Sequence, residues 1–163
     1  MELLYNRGVV TSITALGLGT EPDGCLQLVS VEDNNGNRGD FTLSQDTYLI
    51  NHQPIQVGDF VTGYYDALAP TPLIYPPRYR AIVMVKEVPY QNVKVDFFNE
   101  QLISSDGRLK LNLAPYTPVI LKNGQPFGHS PARQPLVVVY GTSTKSIPAQ
   151  TTPYQVVVLC PSS

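Results

Sequence analysis

The chain has 163 residues, which is enough for one domain of ordinary size or two small ones with a buried core. Only 15% of the residues are charged, and a net charge of −2 gives no positive field, so we expect no nucleic-acid partner. No apolar run reaches the roughly 18 residues that a membrane span needs, so we expect no membrane insertion.

Residues 1–5 form a largely apolar segment that no glycine or proline interrupts, and Asn6 and Arg7 follow it. The segment lacks the basic start and long apolar middle of a signal peptide. Apolar β segments at chain termini promote aggregation unless they pair within the fold or with a neighbouring subunit. We therefore expect residues 1–7 to be an N-terminal extension whose Met1, Leu3, Leu4 and Tyr5 contact an adjacent subunit.

The following residues predict three strands connected by turns. A β-branched run at 8–15 predicts the first strand, and the Gly- and Pro-containing segment 17–24 predicts a turn. The period-two alternation of residues 25–31 predicts a half-buried second strand. Asparagine and glycine at 34–39 tolerate positive φ, so this segment predicts a hairpin loop that leads to a partner strand at 40–43.

A Pro-rich loop separates the next predicted strands. Residues 46–50 predict a short strand, and 55–61 resembles the step that enters a strand in many small β-barrels. The strand 60–65 is followed by a loop with four prolines at 66–78. Proline lacks a backbone donor and favours extended geometry, which excludes a helix there. The apolar run 80–85 predicts the returning strand.

The second half of the chain repeats this order of strands and turns. Tyr65 and Tyr79 are 14 residues apart across the Pro-rich loop, and Tyr140 and Tyr154 are also 14 apart, with apolar runs on both sides. We interpret this as an internal duplication. The predicted fold is all-β, with two related small β-barrel, OB-like or sandwich units packed together. The predicted units are residues 8–88 and 89–163.

Two phrases resemble a known module: PTPLIYPPRYRA at 70–81 and YGTSTKSIPAQTTP at 140–153. They look like a β module of exported and surface proteins of anaerobic Firmicutes, sometimes found beside a copper-amine-oxidase-like N-terminal domain. The resemblance covers most of residues 8–160. It implies a bacterial surface or envelope context and offers no established catalytic residues to carry over.

The sequence lacks a pattern typical of catalysis or metal binding. His52 and His129 lie in separate loop-like segments, and we interpret both as solvated. Asp66 follows a strand end, where a general base is conceivable, but its counterpart in the repeat is Gly141. The segment 142–146 lacks the first glycine of a phosphate-binding loop, and its hydroxyls are expected to bond their own backbone. We expect no enzyme activity, no metal and no cofactor.

Tyrosines and arginines concentrate around the first Pro-rich loop, and this mixture can stack sugars or bases on an OB-like face, while a groove for a partner peptide is an intermediate case. The alternative is that the tyrosines cover the end of a barrel and bond loop carbonyls. The candidate ligand-binding residues are Tyr64, Tyr65, Tyr75, Arg78, Tyr79 and Arg80.

Cys25 and Cys160 have no CxxC spacing and no neighbouring histidine. Reduced thiols, one intrachain bridge and bridges between molecules all remain open, and both cysteines are candidates for an intermolecular disulfide.

The duplication, low charge and apolar termini predict a non-catalytic structural protein. In this hypothesis the chain is a self-associating subunit, a homo-oligomer or polymer, of a bacterial surface, spore or extracellular assembly, and a fibre is one form. The alternative is a ligand-binding module for a carbohydrate, wall polymer or peptide. The sequence leaves the localisation open, although a cell-surface or extracellular location is favoured.

Overall fold

The computed structural model describes residues 1–17 and 24–160, and these residues form β-strands with one short 3-10 turn, Ile50–His52. The all-β prediction is confirmed. The turn predicted at 17–24 lies almost wholly outside the described residues. None of the described residues forms a helix long and apolar enough to cross a membrane.

The chain divides into two compact units, Met1–Glu87 and Val88–Ser163. Seven strands of the first unit form one sheet in the order β4-β7-β5-β1-β2-β3-β6. The strands are β1 Leu3–Leu16, β2 Leu26–Glu32, β3 Arg38–Leu43, β4 Tyr48–Leu49, β5 Phe60–Asp66, β6 Arg78–Arg80 and β7 Val83–Lys86.

Strand β1 is long because it serves two neighbours in succession. Residues 3–9 pair antiparallel with β5, and residues 9–16 pair antiparallel with β2. The register with β2 shifts between Val10 and Ser12, which places a bulge where the strand changes partner. The segment 1–7, predicted as an extension toward another subunit, is therefore mostly part of a strand inside the first unit, because β5 satisfies its backbone groups.

The hairpin between β2 and β3 is held by one carboxylate. Asp33 accepts hydrogen bonds from the backbone N–H groups of Asn35 and Asn37, each at 2.9 Å. Gly36 has a φ of +79°, which an L-residue adopts only at a cost. A hairpin loop thus forms where it was predicted, but it ends before Arg38, the first residue of β3, and Gly36 adopts the expected positive φ whereas the asparagines of the loop do not.

The strands that the structure describes in the first unit do not form a closed barrel, which is one of the forms that the sequence predicted beside an OB-like unit and a sandwich. Strand β6 pairs parallel with β3, whereas β7 pairs antiparallel with β5. Only Ala81 and Ile82 separate β6 from β7, and their N–H groups donate to the carbonyls of Thr42 and Tyr64 respectively. The segment 78–86 pairs with β3 before these two residues and with β5 after them, so its hydrogen-bonded ladder is interrupted at Ala81 and Ile82.

The second unit contains a four-stranded sheet in the order β10-β13-β11-β8 and a two-stranded sheet of β12 and β9. Isolated β-bridges in this unit pair Phe98 with Ser104 and Ile103 with Lys110. The strands are β8 Asn92–Phe98, β9 Leu109–Leu111, β10 Val119–Leu121, β11 Gln134–Tyr140, β12 Ala149–Thr151 and β13 Gln155–Val158.

Each unit has its own hydrophobic core built from alternate strand positions. In the first unit Val10, Phe41, Val61 and Met84 are among the buried residues of this cluster. The core of the second unit consists of Phe98, Leu109, Leu111, Leu136, Val138, Val156 and Val158. Burial of a Val, Leu or Phe side chain contributes about 1.5–3 kcal/mol, so each cluster supplies the main driving force for its own unit.

Candidate functional site

Three aromatic rings lie at one end of the core of the first unit. The rings of Tyr65 and Tyr79 stack with their centroids 4.1 Å apart and their planes 20° from parallel. Phe41 lies beneath them, with its ring 5.8 Å from that of Tyr79 and 6.4 Å from that of Tyr65. Burial raises the pKa of Tyr65, and the neighbouring Tyr79 phenol raises it further. This stack therefore covers one end of the core.

The other predicted ligand-binding residues do not join this stack. Tyr64 is buried and packs against Tyr5, with ring centroids 5.7 Å apart, because consecutive residues of a strand face opposite sides. Tyr75 is exposed in the loop. Arg80 is exposed and lies 3.9 Å from Asp46, and the Nε atom of Arg78 is buried without a hydrogen-bond partner. The six residues are therefore spread over more than one face.

The equal spacing of the two tyrosine pairs does not reflect equal positions. The N–H of Ile82 donates to the carbonyl of Tyr64, and the N–H of Tyr154 makes the same bond to Val139. Tyr154 thus stands where the first unit has Ile82, not Tyr79. Tyr154 is exposed, and its phenol lies against Gly141, where an added Cβ would overlap it.

A cleft of about 400 Å³ opens beside the aromatic stack. It is bounded by the first half of β1, the hairpin between β2 and β3, and the start of β6, all in the first unit. The lining residues are Tyr5, Asn6, Arg7, Val31, Asp33, Asn37, Arg38, Gly39, Pro77 and Tyr79.

Strand alternation places Gly39, which has no side chain, at the floor of the cleft. Phe41 and Leu43 are core residues of β3, so Gly39 faces the same side two residues earlier. A Cβ built on Gly39 would lie 3.8 Å from Asn6 Nδ2 and 3.9 Å from a Tyr79 ring carbon. The missing side chain of Gly39 thus leaves space between Asn6 and Tyr79.

Two arginines of the cleft differ in their partners. Arg38 is held by Asp40, with Nε 3.2 Å from Oδ1, and by Ser30 Oγ at 3.0 Å. Arg7 donates from Nε to Thr62 Oγ1 at 3.0 Å, and its guanidinium carbon lies 5.4 Å from the centroid of the Tyr5 ring. Within residues 1–17 and 24–160, no carboxylate forms an ion pair with Arg7. Its guanidinium therefore has no direct carboxylate partner there, although Thr62 Oγ1 links it to Glu87.

The one carboxylate in the lining is committed to the hairpin. Hydrogen bonds from the Asn37 N–H, the Asn37 side chain and the Asn35 N–H lower the pKa of Asp33, against a smaller opposing effect of burial. Asp33 therefore stays ionised while it holds the hairpin that forms one wall.

The sequence identified only Tyr79 of this cleft as a ligand-binding residue. Asn6, Arg7 and Gly39 were missed because they lie on different strands, and only the pairing of β1, β2, β3 and β6 brings them together. Alternation along β1 predicts that Tyr5 and Arg7 lie on one face of the strand and Asn6 on the other, but it does not predict which residues of other strands lie beside them.

Asp66 holds the chain together locally. It accepts hydrogen bonds from the N–H groups of Glu2 and Leu68, each at 3.0 Å. The bond from Glu2, followed by that from Leu68, lowers its pKa. Both bonds join the start of β1 to the loop that follows β5, so the carboxylate is occupied by backbone donors.

The hydroxyl-rich loop of the second unit is braced from within, as predicted. Ser146 Oγ donates to the carbonyl of Pro148 at 2.8 Å, and Thr151 Oγ1 donates to the carbonyl of Thr142 at 2.7 Å. In the part of the chain that the structure describes, no three His, Cys, Asp or Glu side chains group as a metal site. Comparison with known proteins finds no family model, curated protein or solved structure that matches this chain.

Proposed function

We propose that this chain is a non-catalytic structural protein, built by duplication of an OB-like unit, that self-associates through an apolar loop on each unit. The occupant of each loop surface is a second copy of the same chain. The resemblance of residues 70–81 and 140–153 to a module of exported bacterial proteins supports a surface, spore or extracellular assembly as its setting.

Recurring strand pairings support the duplication. The antiparallel pairs β1–β5 and β5–β7 of the first unit correspond to β8–β11 and β11–β13 of the second. The parallel pairs β4–β7 and β3–β6 correspond to β10–β13 and β9–β12. In the second unit, two isolated bridges take the place of the β1–β2 and β2–β3 ladders.

A matching turn leads into β4 and β10. Ser44 N–H donates to Thr47 Oγ1 at 3.1 Å, and Thr47 N–H returns a bond to the Ser44 carbonyl at 3.2 Å. Ala114 and Thr117 make the same two bonds, both at 3.0 Å. These reciprocal bonds recur at corresponding places, which a shared ancestry of the two units explains.

The strand order supports an OB-like topology. In such a fold, five strands form a partly open Greek-key barrel, in which the first three strands make a meander and the last strand pairs parallel with the third. The segment 78–86 pairs parallel with β3 through β6 and antiparallel with β5 through β7, so it connects the two sides of the sheet. We infer an OB-like unit that opens at Ala81 and Ile82.

The exposed apolar loop residues carry the proposal of self-association. Phe41 pairs with Tyr79, and its counterpart Leu111 pairs with Thr151, so Tyr75 corresponds to Ile147. Tyr75 is 82% exposed and Ile147 is 92% exposed. Single exposed apolar residues are common on protein surfaces, so the support for a contact surface is that a large apolar side chain recurs at the same loop position in both units.

A low net charge and the presence of two contact loops on each chain favour an assembly of many copies. A net charge of −2 on 163 residues produces little repulsion between copies. A chain with one contact loop on each unit can bind two neighbours, and contacts that do not close into a ring propagate into a filament.

Analytical ultracentrifugation over a range of concentrations, with negative-stain microscopy, tests this proposal. We expect concentration-dependent oligomers of the wild-type chain. Tyr75→Ser and Ile147→Ser should each limit assembly to small species, and the double variant should be monomeric with an unchanged far-UV circular dichroism spectrum.

Tyr116→Ser is the matched control, because Tyr116 is 81% exposed outside both loops. It should assemble like the wild type. A wild-type chain that stays monomeric at the highest attainable concentration contradicts the proposal, as does an equal loss of assembly in the control.

A further inference from the structure

We propose that the cleft of the first unit binds a saccharide that carries an anionic group. The inference is independent of self-association, because the cleft residues differ from Tyr75 and Ile147. It rests on the chemistry of three parts of the lining: two aromatic rings, one unpaired guanidinium, and an open floor beside an amide.

Tyrosine rings give the cleft surfaces for the apolar faces of a sugar. Tyr5 is exposed at one wall, and Tyr79 lines the opposite side while it stacks on Tyr65. Tyr79 is thus fixed before a ligand arrives, which lowers the entropic cost of binding. A volume of about 400 Å³ lies within the roughly 300–1,000 Å³ of small-molecule sites.

Arg7 supplies the charge that favours an anion over a neutral sugar. Its Nε is engaged by Thr62 Oγ1, whose own proton is donated to Glu87 at 2.6 Å. This relay fixes one edge of the guanidinium and leaves its terminal nitrogens for a carboxylate or phosphate. Guanidinium groups bind both anions through paired hydrogen bonds, which makes either group a suitable partner.

Asn6 and Gly39 adapt the floor to a hydroxylated ring. The amide of Asn6 offers both a donor and an acceptor, the combination that sugar hydroxyls need. Gly39 keeps the space above this amide free. Nucleic acid fits less well, because a polyanion needs a larger positive charge than this lining offers. The lining contains only two arginines, and one of them is already paired with Asp40.

The second unit shows how the same position is closed. By strand register Leu109 stands where the first unit has Gly39, and Leu109 is buried in the core. Lys94 stands where the first unit has Asn6, and it pairs with Asp106. The substitution Gly39→Leu therefore copies a residue that this topology already accepts.

NMR titration of the ¹⁵N-labelled chain tests the inference with four probes: digalacturonate, glucose 6-phosphate, cellobiose and inorganic phosphate. We expect saturable shifts of the Arg7 and Gly39 amide signals with at least one anionic sugar. Cellobiose and inorganic phosphate should bind at least about tenfold more weakly, a difference of about 1.4 kcal/mol. The tighter of the two anionic sugars identifies carboxylate or phosphate as the recognised group.

Gly39→Leu should abolish these shifts, and Gly128→Leu should leave them intact, because a Cβ on Gly128 meets no atom within 4 Å. Arg7→Gln is a second variant that keeps the floor unchanged and should remove the preference for the anionic sugar over cellobiose. Absence of saturable shifts with both anionic sugars overturns the inference. Equal binding of inorganic phosphate, or wild-type binding by Arg7→Gln, overturns it as well.

Discussion

Exchange of two core residues between the units gives a direct test of the duplication. By strand register Phe41 and Gly63 of the first unit correspond to Leu111 and Val138 of the second. At these two positions the first unit has a large phenylalanine ring and a glycine without a side chain, whereas the second unit has a leucine and a valine of intermediate size. A Cβ on Gly63 would lie 2.6 Å from Cζ of Phe41, so the two positions share one volume.

The three variants have distinct expected stabilities. Gly63→Val alone forces the Phe41 ring out of place, and overpacking of this kind costs about 1–3 kcal/mol. Phe41→Leu alone removes ring atoms from a fully buried site and leaves a cavity, which we expect to cost about 1–3 kcal/mol. In the double variant the valine fills the cavity. Replacement of a strand glycine also recovers about 0.5–1 kcal/mol, so the double variant should lie within about 1 kcal/mol of the wild type.

Urea unfolding followed by far-UV circular dichroism measures these free energies, and the coupling energy of the double-mutant cycle is the decisive quantity. We expect a coupling of at least about 1 kcal/mol in favour of the double variant. Gly63→Val combined with Phe98→Leu is the control, since Phe98 belongs to the core of the second unit. This control pair should be additive.

An additive cost of Gly63→Val and Phe41→Leu would refute the reasoning, because it would mean that the two positions do not share a volume. Equal coupling in the control pair would have the same consequence. It would show that the measured coupling reflects a general change in the unfolded state and not the local packing.

Three further outcomes are expected. Asp106 is partly buried, which opposes its ionisation, but bonds from Lys94, Ser104 and the Arg108 N–H lower its pKa to about 2. Its stabilising contribution should be complete above the ordinary value of 3.8 and should be lost as the pH falls through about 2, and Asp106→Asn should flatten this part of a stability profile measured by urea unfolding. Gly8→Ala should weaken the first unit by about 1–3 kcal/mol in thermal unfolding, because the new Cβ would lie 2.7 Å from the backbone carbon of Glu32. Cys25 and Cys160 are both exposed and free, so non-reducing gels should show disulfide-linked species under oxidation that Cys25→Ser or Cys160→Ser reduces; a ladder that survives the double substitution would contradict a bridge through these thiols.

The sequence predicted the strands well where alternation or β-branching is strong. The runs 25–31 and 60–65 both fall within or across strands of the structure. Local patterns contain this information because each residue of a half-buried strand reports which side it faces. The partner change of β1 at its bulge, by contrast, depends on β2 and β5, which lie far away along the chain.

The N-terminal segment shows a second limit of sequence patterns. An unpunctuated apolar run can pair with any free strand edge, in its own unit or in a neighbour. Residues 3–9 find the edge of β5 in the same unit, and Met1, Leu4 and Tyr5 keep exposed side chains. The pattern therefore predicted a need for pairing but could not identify the partner.

The tyrosine spacing shows how the two halves of the chain can be aligned at a wrong position. Tyr65 corresponds to Tyr140, and both lie at the ends of corresponding strands. From these residues the first unit takes 14 residues to Tyr79, whereas the second takes 11 to its counterpart Thr151. The loop of the second unit is three residues shorter, so an equal spacing of 14 reaches Tyr154, which corresponds to Ile82.

This realignment bears on where the two units can differ in function. At the end of the core where the first unit has Asn6, Gly39 and Tyr79, the second has Lys94, Leu109 and Thr151. Leu109 fills the space, Thr151 bonds the carbonyl of Thr142, and Lys94 is neutralised by Asp106, so each replacement removes one property of the cleft. The loops, in contrast, keep an exposed apolar residue at the same position in both units. A contact that builds an assembly benefits from two copies per chain, whereas a binding site needs only one. The two apolar loops and the cleft of the first unit are therefore the basis of our two proposals, in which both units share one role in assembly and the first unit recognises a ligand.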